Sequence, residues 1–344
     1  MRKSMLLEAP LSEYEQRISK LCAELKKRGM DGILLSAPDN MRYFCGHRSI
    51  VWDSNVSMPG TLVVSADGTM RLAGSQSNHP TAVRTACVDE DCYIAYFNGG
   101  VRKPGQPTSY PEAICQAFTE LGLENGKIGM EWGRGCRVRM IHADYEQIIS
   151  TMSHANFVDA SDVIWAVRGV KSPYEQDLLR KVNNINTKLF EHAYERLIPG
   201  VTTERELYNS MVSEAFALGC DSMLELDVRG HKDRYGLPNC PPSNMPFGTE
   251  DGTAILIDGG PSYQGYFSDI IRIGVGHSLG LNVHEYPCLE AGEETPLKAG
   301  MVMTLEPNLD SKTAGSMVLE QNFIITEDGY ELLSKMPTEM VRIH

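Results

Sequence analysis

The last quarter of the chain concentrates carboxylates and histidines in segments that otherwise have the composition of β-strands. Asp258 ends the apolar run "AILID", Asp269 follows eleven residues later, and His277 comes eight residues after that. Glu306 closes "MVMTLE", and Glu320 lies within "SMVLEQNFIIT". An unpaired buried carboxylate is costly or changes its protonation state. A strand end or a salt bridge would explain one such acid, but this whole group is better explained by a shared cation.

Four carboxylates and one imidazole are suitable ligands for divalent metal ions such as Mn, Fe, Co or Zn. Such a set can hold two ions a few ångströms apart and bridge them with a water molecule. The ions lower the pKa of that water and generate a hydroxide nucleophile, as in two-metal hydrolases. The residue types and their order therefore predict a dinuclear metal site with hydrolytic chemistry.

Two helices followed by strands are predicted to position these groups. Ser172 and Pro173 with Glu175 are typical of a helix N-terminus, and Thr203 with Glu206 forms the capping-box pattern of a second helix. Strand-like runs such as "TAILID" and "MVMTLEPN" follow them. Helices first and strands afterwards indicate an α+β domain, with the ionisable groups on its sheet.

The first part of the chain alternates between strand and helix patterns, which indicates an α/β domain. Asp67 and Gly68 mark the turn of a hairpin over 60–74. Helices are predicted at about 12–29, 109–123 and 140–153, and strands at 31–36, 41–46, 92–97 and 127–132. The predicted organisation is an α/β domain over residues 1–160 and an α+β domain over residues 161–344.

The composition excludes several classes of function. The 344 residues, 42% hydrophobic and 22% charged, suit two globular domains. The net charge of −13, with no basic run, argues against a nucleic-acid partner. The sequence shows no apolar run long enough to span a bilayer and no signal peptide, so we expect no membrane partner and a cytoplasmic location. The nine scattered cysteines are expected to be reduced thiols.

Four segments resemble, in order, the signatures of the creatinase/methionine aminopeptidase/prolidase family of pita-bread metallohydrolases. They are "ILIDGGPSYQGYFSDIIR", "GHSLGLNVHEYP", "VMTLEPN" and "VLEQNFIIT". The resemblance implies a creatinase-type N-terminal α/β domain and a pita-bread catalytic domain. The segment "RGVKSPYEQDLLRKV" resembles the start of that catalytic domain. The resemblance implies two divalent metal ions held by Asp258, Asp269, His277, Glu306 and Glu320. Manganese is the expected metal, and Zn, Co and Fe are the alternatives. The resemblance also implies a homodimer in which the N-terminal domain helps to form or cover the active site.

The same resemblance implies catalytic roles for two residues. His284, in "NVHEYP", matches the histidine on the substrate side, which could donate a hydrogen bond to the oxyanion or the scissile carbonyl; the alternative is a structural histidine. Glu306 matches the ligand that also moves a proton from the attacking water to the leaving amine. Arg272 could be an ion-pair partner or a catalytic group, and Glu285 a supporting or a surface residue.

One departure from the family concerns a histidine. Peptidase members usually carry one in a Pro-His step before the first aspartate, but here Phe247 follows Pro246. An apolar ring cannot donate the hydrogen bond that an imidazole would. His231 lies well upstream, on a loop that we predict to be unrelated. This departure leaves room for a substrate that is not a peptide.

A second departure is the short connection between the second aspartate and the ligand histidine. Family members place several tens of residues there, including helices, whereas here four residues separate Arg272 from His277. The fold is therefore expected to lack a helical segment between these residues, which would expose apolar surface. A hairpin turning near Ile273 would place Asp269 opposite His277, with Cβ atoms about 5 Å apart.

Three functions remain open. The first is hydrolysis of a peptide or amide bond by a metal-bridging hydroxide, foremost as an Xaa-Pro dipeptidase or aminopeptidase, in which His284 stabilises the oxyanion and Glu306 relays the proton. The second is a creatinase-like or other small-molecule C–N hydrolase or lyase, which Phe247 favours. The third is a non-catalytic pita-bread protein that binds a macromolecular partner, which the complete ligand set disfavours.

Overall fold

The structure is a computed structural model that describes residues 1–50, 60–235, 237, 240–249, 253–268, 275–313, 315–339 and 341–343. The chain divides into two compact units, Met1–Val167 and Arg168–His344. In the described ranges all nine cysteines are free thiols. No helix of the described residues combines the length and the apolar character that a membrane span requires.

The described strands of the first unit form one mixed sheet in the order β4-β3-β2-β1-β5-β6. The strands are β1 (Gly32–Leu35), β2 (Thr61–Ser65), β3 (Met70–Ser75), β4 (Tyr93–Tyr96), β5 (Lys127–Met130) and β6 (Asn156–Asp159). The helices are α1 (Leu11–Lys27), α2 (Pro38–Cys45), α3 (His79–Thr85), α4 (Tyr110–Glu120), α5 (His142–Thr151) and α6 (Ser161–Arg168), whose last residue opens the second unit.

The sheet and helix α4 of the first unit enclose its core. Ile114 and Phe118 of α4 and Ile128 of β5 are fully buried in one hydrophobic cluster. Strand β1 pairs in parallel with β5 and antiparallel with β2, and β2 forms a hairpin with β3. The predicted hairpin at Asp67-Gly68 and the alternation of strands and helices are therefore confirmed.

The predicted strand at 41–46 is wrong, because these residues lie in helix α2. Pro38 occupies the first turn of the helix, and Gly46 ends it in the left-handed conformation, with φ of 77°. Met41, Phe44 and Cys45 are all buried, and their i, i+3, i+4 spacing suits one helical face. The apolar run was too short to distinguish a strand from a buried helical turn.

The second unit begins with two long helices, α7 (Pro173–Arg196) and α8 (Glu204–Ala217). Both predicted N-termini are confirmed as capping boxes, formed by Ser172 with Glu175 and by Thr203 with Glu206. In a capping box each side chain satisfies a backbone N–H group that the helix leaves unpaired. The helices pack on a core that includes Leu189, Leu207, Met211, Val228 and Phe247.

The described strands of the second unit form three sheets, in the orders β7-β8-β9, β11-β10-β12-β15-β16 and β13-β14. They are β7 (Ser222–Arg229), β8 (Leu256–Tyr263), β9 (Tyr266–Phe267), β10 (Gly276–Ser278), β11 (Glu285–Cys288), β12 (Val302–Leu305), β13 (Asn308–Ser311), β14 (Gly315–Val318), β15 (Gln321–Ile325) and β16 (Tyr330–Leu332). Strands β8 and β9 form a hairpin whose two-residue turn, Gln264-Gly265, has φ of 49° and 80°, as type I′ turns require.

Candidate metal centre

His277 and Glu306 form a buried pair at the centre of the five-stranded sheet. His277 is the middle residue of β10, and Glu306 directly follows β12, the neighbouring strand. Their side chains are 3% and 1% exposed, and His277 Nε2 lies 3.3 Å from Glu306 Oε1. The Glu306 N–H donates to the Val275 carbonyl at 3.0 Å. The sheet itself therefore brings together two of the predicted ligands.

The orientation of the His277 ring places an acceptor nitrogen against the Glu306 carboxylate. Nδ1 lies 2.9 Å from the Ser278 carbonyl oxygen, which can only accept, so Nδ1 carries the proton. In the neutral ring Nε2 then presents a lone pair to a carboxylate oxygen. Two acceptors at this distance are stabilised by a cation between them, either a proton or a metal ion. Metal-binding histidines commonly direct their second ring nitrogen at a carbonyl in this way.

Thr304 connects the predicted ligand Glu320 to this pair. Thr304 lies on β12 directly opposite His277 on one side and Asn322 on the other. Its Oγ1 donates a hydrogen bond to Glu320 Oε1. Glu320, which immediately precedes β15, is half-buried. The hydrogen bond fixes one carboxylate oxygen of Glu320 close to strand β12, which precedes Glu306 and pairs with the strand that carries His277.

Asp258 lies on a different sheet, in strand β8, and is 6% exposed. The residue directly opposite on β7 is a second aspartate, Asp227, which is 5% exposed. Arg229 Nε lies 2.9 Å from Asp227 Oδ2. The sequence analysis missed Asp227 and Arg229, although polar residues that alternate along "LELDVRG" were a signal. A like-charged pair at this position again favours a nearby cation.

A buried amide network joins the two sheets. Ser268 follows β9, and its Oγ accepts from Asn186 at 3.1 Å and from Asn322 at 3.4 Å, and donates to Asn183 Oδ1 at 3.2 Å. Asn322 Nδ2 also donates to Asn183 Oδ1 at 2.9 Å. Ser268 directly precedes Asp269 in the sequence. The network therefore ties the end of the β8-β9 hairpin to helix α7 and strand β15.

Asp269, Arg272 and Ile273 lie outside the described residues. The predicted hairpin turning near Ile273, with Asp269 opposite His277, involves these residues and therefore stays a prediction. Both edges of β10 are occupied, because His277 pairs with Thr304 on β12 and with Cys288 on β11. In the described ranges, which exclude Asp269, no three His, Cys, Asp or Glu side chains are grouped so as to hold a metal ion.

His284 lies beside His277, with ring centroids 4.1 Å apart. The next residue, Glu285, is 1% exposed, so the surface alternative for Glu285 is wrong. Arg168 Nη2 and Lys171 Nζ both donate to its carboxylate, Lys171 at 3.1 Å. Burial alone would raise the pKa of Glu285, but the two cations outweigh that effect and leave the pKa lowered. The sequence analysis missed Arg168 and Lys171 as members of the site.

Phe247, at the predicted position of the family's upstream histidine, is part of the core. Phe247 is 1% exposed and packs in the cluster beneath helices α7 and α8. A Cβ atom at Gly230 would lie 2.2 Å from Phe247 Cδ1. His231 lies near the surface, where its ring pairs with Asp233 at 3.6 Å. Phe247 is therefore held by packing, and His231 interacts with its own loop.

Apolar side chains are exposed on the strands next to Glu306. Val275 and Leu305 are 59% and 41% exposed, and Leu309 and Met317, which pair across the β13-β14 hairpin, are 60% and 43% exposed. This is the kind of surface expected if covering helices are absent.

Two family matches decide the identity of the fold. Residues 17–170 match the Creatinase/Prolidase N-terminal domain, and residues 177–274 and 271–327 match Metallopeptidase family M24. Together they span most of the chain. The chain combines a creatinase/prolidase-type N-terminal domain with an M24 metallopeptidase domain. Its predicted membership of the creatinase/prolidase/aminopeptidase P group is confirmed, as is its predicted class of metallohydrolase.

Two of the similar proteins match nearly the whole chain, and a third matches about three fifths of it. The chain is 22% identical to the uncharacterized peptidase YqhT of Bacillus subtilis over 381 residues, which cover 94% of this chain and 99% of the relative. It is 25% identical to the ectoine hydrolase of Halomonas elongata over 211 residues, 61% of this chain and 49% of the relative. The Xaa-Pro dipeptidase structure from Bacillus anthracis matches with a TM-score of 0.76 at 21% identity, over 95% of this chain and 99% of that one. The predicted fold class is thereby confirmed.

The M24 match is interrupted where the short connection lies. Its two parts meet at residues 271–274, where the sequence passes from Arg272 to His277. The alignment with YqhT extends over 381 residues, more than the 344 of this chain. The alignment therefore contains positions that have no counterpart in this chain, and the family match is divided at the predicted position of the missing segment.

Proposed function

We propose that this M24 chain is a dinuclear metal-dependent hydrolase of a peptide or amide bond, foremost an Xaa-Pro dipeptidase or aminopeptidase. The observation that carries the proposal is the buried pair of His277 and Glu306, whose Nε2 and Oε1 atoms lie 3.3 Å apart. The proton of His277 is held on Nδ1 by the Ser278 carbonyl, so the opposite ring nitrogen is available to a cation. The shared fold with the Xaa-Pro dipeptidase from Bacillus anthracis supports this choice.

Five residues would hold two divalent ions, for which we expect manganese: Asp258, Asp269, His277, Glu306 and Glu320. When bound, such ions would supply an activated water molecule at neutral pH and would polarise the substrate carbonyl. The donor set fits this role because the side chains of Asp258, His277 and Glu306 are buried and end in oxygen or nitrogen acceptors. Hard oxygen ligands with one imidazole suit Mn²⁺.

The side chains themselves would bind the substrate and move the proton. His284, 4.1 Å from the His277 ring, would donate a hydrogen bond to the carbonyl oxygen of the scissile bond. Glu306 would accept a proton from the attacking water and deliver it to the leaving amine. We further propose a cytoplasmic homodimer, as the family resemblance implies.

Metal analysis and an assay on Xaa-Pro dipeptides test this function. We expect bound manganese after growth with added Mn²⁺ and loss of activity with chelator, reversed by added metal. Glu306→Gln should lower kcat by about 100-fold or more, whereas Glu331→Gln, which alters an exposed ion pair with Arg180, should not. His284→Ala should lower kcat and leave the metal content intact. A protein that binds no metal and is insensitive to chelator would refute the mechanism.

A second candidate is hydrolysis of a C–N bond in a small molecule that is not a peptide. Phe247 favours it, because this core residue cannot supply the hydrogen bond of the histidine in peptidase members. The similarity to an ectoine hydrolase over 211 residues also supports it. A screen that includes Xaa-Pro dipeptides, creatine and cyclic amidines separates the two. Activity confined to a cyclic amidine or to creatine would replace the first candidate with the second.

A further inference from the structure

Three charged side chains are buried together beside the candidate metal centre. Arg168, Lys171 and Glu285 are 1%, 3% and 1% exposed. Removing an ion from water costs several kcal/mol, and buried ion pairs can often be replaced by apolar groups without loss of stability. Stability is therefore a weak explanation for the cluster, and its contacts point to a second role.

Lys171 contacts the residue that sets the tautomer of His277. Lys171 Nζ donates to Ser278 Oγ at 2.9 Å, and Ser278 Oγ in turn donates to the Val302 carbonyl at 3.1 Å. The backbone carbonyl of the same serine accepts from His277 Nδ1. Lys171 and Val302 thus hold Ser278 from two sides, and the orientation of the His277 ring depends on where Ser278 lies.

Lys171 also fixes the residue next to His284. Its Nζ donates to Glu285 Oε2 at 3.1 Å, and Glu285 pairs with Ser278 between strands β11 and β10. A Cβ atom at Gly280 would lie 2.7 Å from Glu285 Oε2, so the loop between the two histidines packs tightly on this carboxylate. One ammonium group therefore restrains both ends of the segment from His277 to His284.

We propose that Lys171, with Arg168, is a positioning residue that sets the separation and orientation of the His277 and His284 rings through Ser278 and Glu285. This inference rests on the proposed function, because it assigns the cluster to the same site. It also gives a role to the "RGVK" segment, which marks the start of the catalytic domain in the sequence.

Two variants test the proposal. Lys171→Met keeps the length of the side chain and leaves Glu285 paired with Arg168, but it removes the donor to Ser278. Ser278→Ala keeps all three charges and the backbone carbonyl, and removes only the hydroxyl that Lys171 contacts. The control is Arg180→Met, which breaks the exposed pair with Glu331 in the same unit. The second variant keeps the test decisive if the first does not fold.

The primary measurement is nitrogen NMR of the metal-free protein labelled at histidine, which reports ring tautomers without requiring activity. We expect an Nδ1–H ring for His277 in the wild type, shifted His277 and His284 ring signals in both variants, and no change in Arg180→Met. Calorimetric titration with Mn²⁺ alone should show affinity weakened by about 10-fold to 100-fold in both variants.

Unchanged ring signals in both variants would overturn the proposal, even if the melting temperature falls, because a purely structural role would affect only stability. Absence of Mn²⁺ binding by the wild type would contradict the proposed function. In that case the ring signals of the metal-free protein would still decide whether Lys171 positions the histidines.

Discussion

Asp227 and Asp258 lie directly opposite each other on the antiparallel strands β7 and β8, and both side chains are buried. Directly opposed residues have Cβ atoms about 4.5–5.5 Å apart, where like charges destabilise the pairing of two strands. The guanidinium of Arg229, 2.9 Å from Asp227, offsets part of this repulsion. A metal ion bound at Asp258 would offset more of it, which links the stability of this sheet to metal binding.

Arg229→Met should lower the free energy of unfolding by about 3–5 kcal/mol, because it leaves a buried carboxylate without its cation. Added Mn²⁺ should restore part of the loss, since a ligand that binds only the folded state stabilises it. Urea denaturation with and without Mn²⁺ measures both effects. The matched control is the double variant Arg229→Met, Asp227→Asn, which removes both charges and should be more stable than Arg229→Met alone. Equal stabilities would contradict the charge argument.

Thr304→Val should weaken Mn²⁺ binding by about 10-fold to 100-fold, because it removes the hydrogen bond that orients Glu320 while keeping the shape of the side chain. Calorimetric titration with Mn²⁺ measures the change. Thr326→Val is the control, since Thr326 also donates to a carboxylate, that of Asp328, but at the surface. If both variants bind Mn²⁺ as the wild type does, Glu320 is not a ligand that Thr304 orients.

Gly276→Ala should destabilise the second unit by more than about 4 kcal/mol, in the range of the severest single substitutions. Gly276 has φ of 154°, and a Cβ atom there would lie 2.0 Å from the Thr304 carbonyl oxygen, on the strand that pairs with His277. Gly292→Ala is the control, because Gly292 has φ of 90° but no atom within 4 Å of its Cβ position. It should lose only the backbone cost of about 1–2 kcal/mol. Thermal denaturation compares the two, and similar losses would contradict the close approach.

Glu131 should make the first unit less stable as the pH rises from about 5 to 7.5. Burial raises the pKa of this carboxyl to about 7, against hydrogen bonds from Asn40 and Ser36 that lower it. Because its pKa is higher in the folded than in the unfolded chain, the folded state binds the proton more tightly. The stabilisation is fully present below a pH of about 4.5 and is lost as the pH rises through 7. The free energy of unfolding should fall by on the order of 3 kcal/mol over this range.

Tryptophan fluorescence during urea denaturation reports this unit, because all three tryptophans lie within residues 1–167. Glu131→Gln should remove most of the dependence on pH between 5 and 7.5. Glu120→Gln should not, because the pKa of Glu120 is lowered and its titration falls below this range. A wild-type stability that is flat across the range would show that Glu131 stays ionised.

Local patterns in the sequence predicted the elements that depend on neighbouring residues. The capping boxes at Ser172 and Thr203 and the turn at Asp67-Gly68 are examples, because each uses residues within a few positions of one another. The segment 41–46 failed because a short apolar run has no clear period. The pairing of β10 with both β11 and β12 could not be predicted either, because proximity in the sequence does not reveal which strands become neighbours.

The supporting residues of the site could not be predicted because their partners are distant in the sequence. Lys171 and Glu285 are 114 positions apart, and Asn183 and Asn322 are 139 positions apart. In the sequence each of these four residues is only a polar residue within a predicted helix or strand, and such residues are usually exposed to solvent. The candidate ligands were recognisable because acids within β-like runs are unusual without a partner.

The amide network around Ser268 bears on the order in which a newly made chain can complete its fold. A ribosome delivers residues from the N-terminus, and domains begin to fold as they emerge. Asn322 lies 54 positions beyond Ser268 in the sequence. Until it has been synthesised, the hydrogen bonds that it donates to Asn183 and Ser268 cannot form. The second unit is thus completed late in synthesis, and a stalled chain that lacks Asn322 would leave this buried network incomplete.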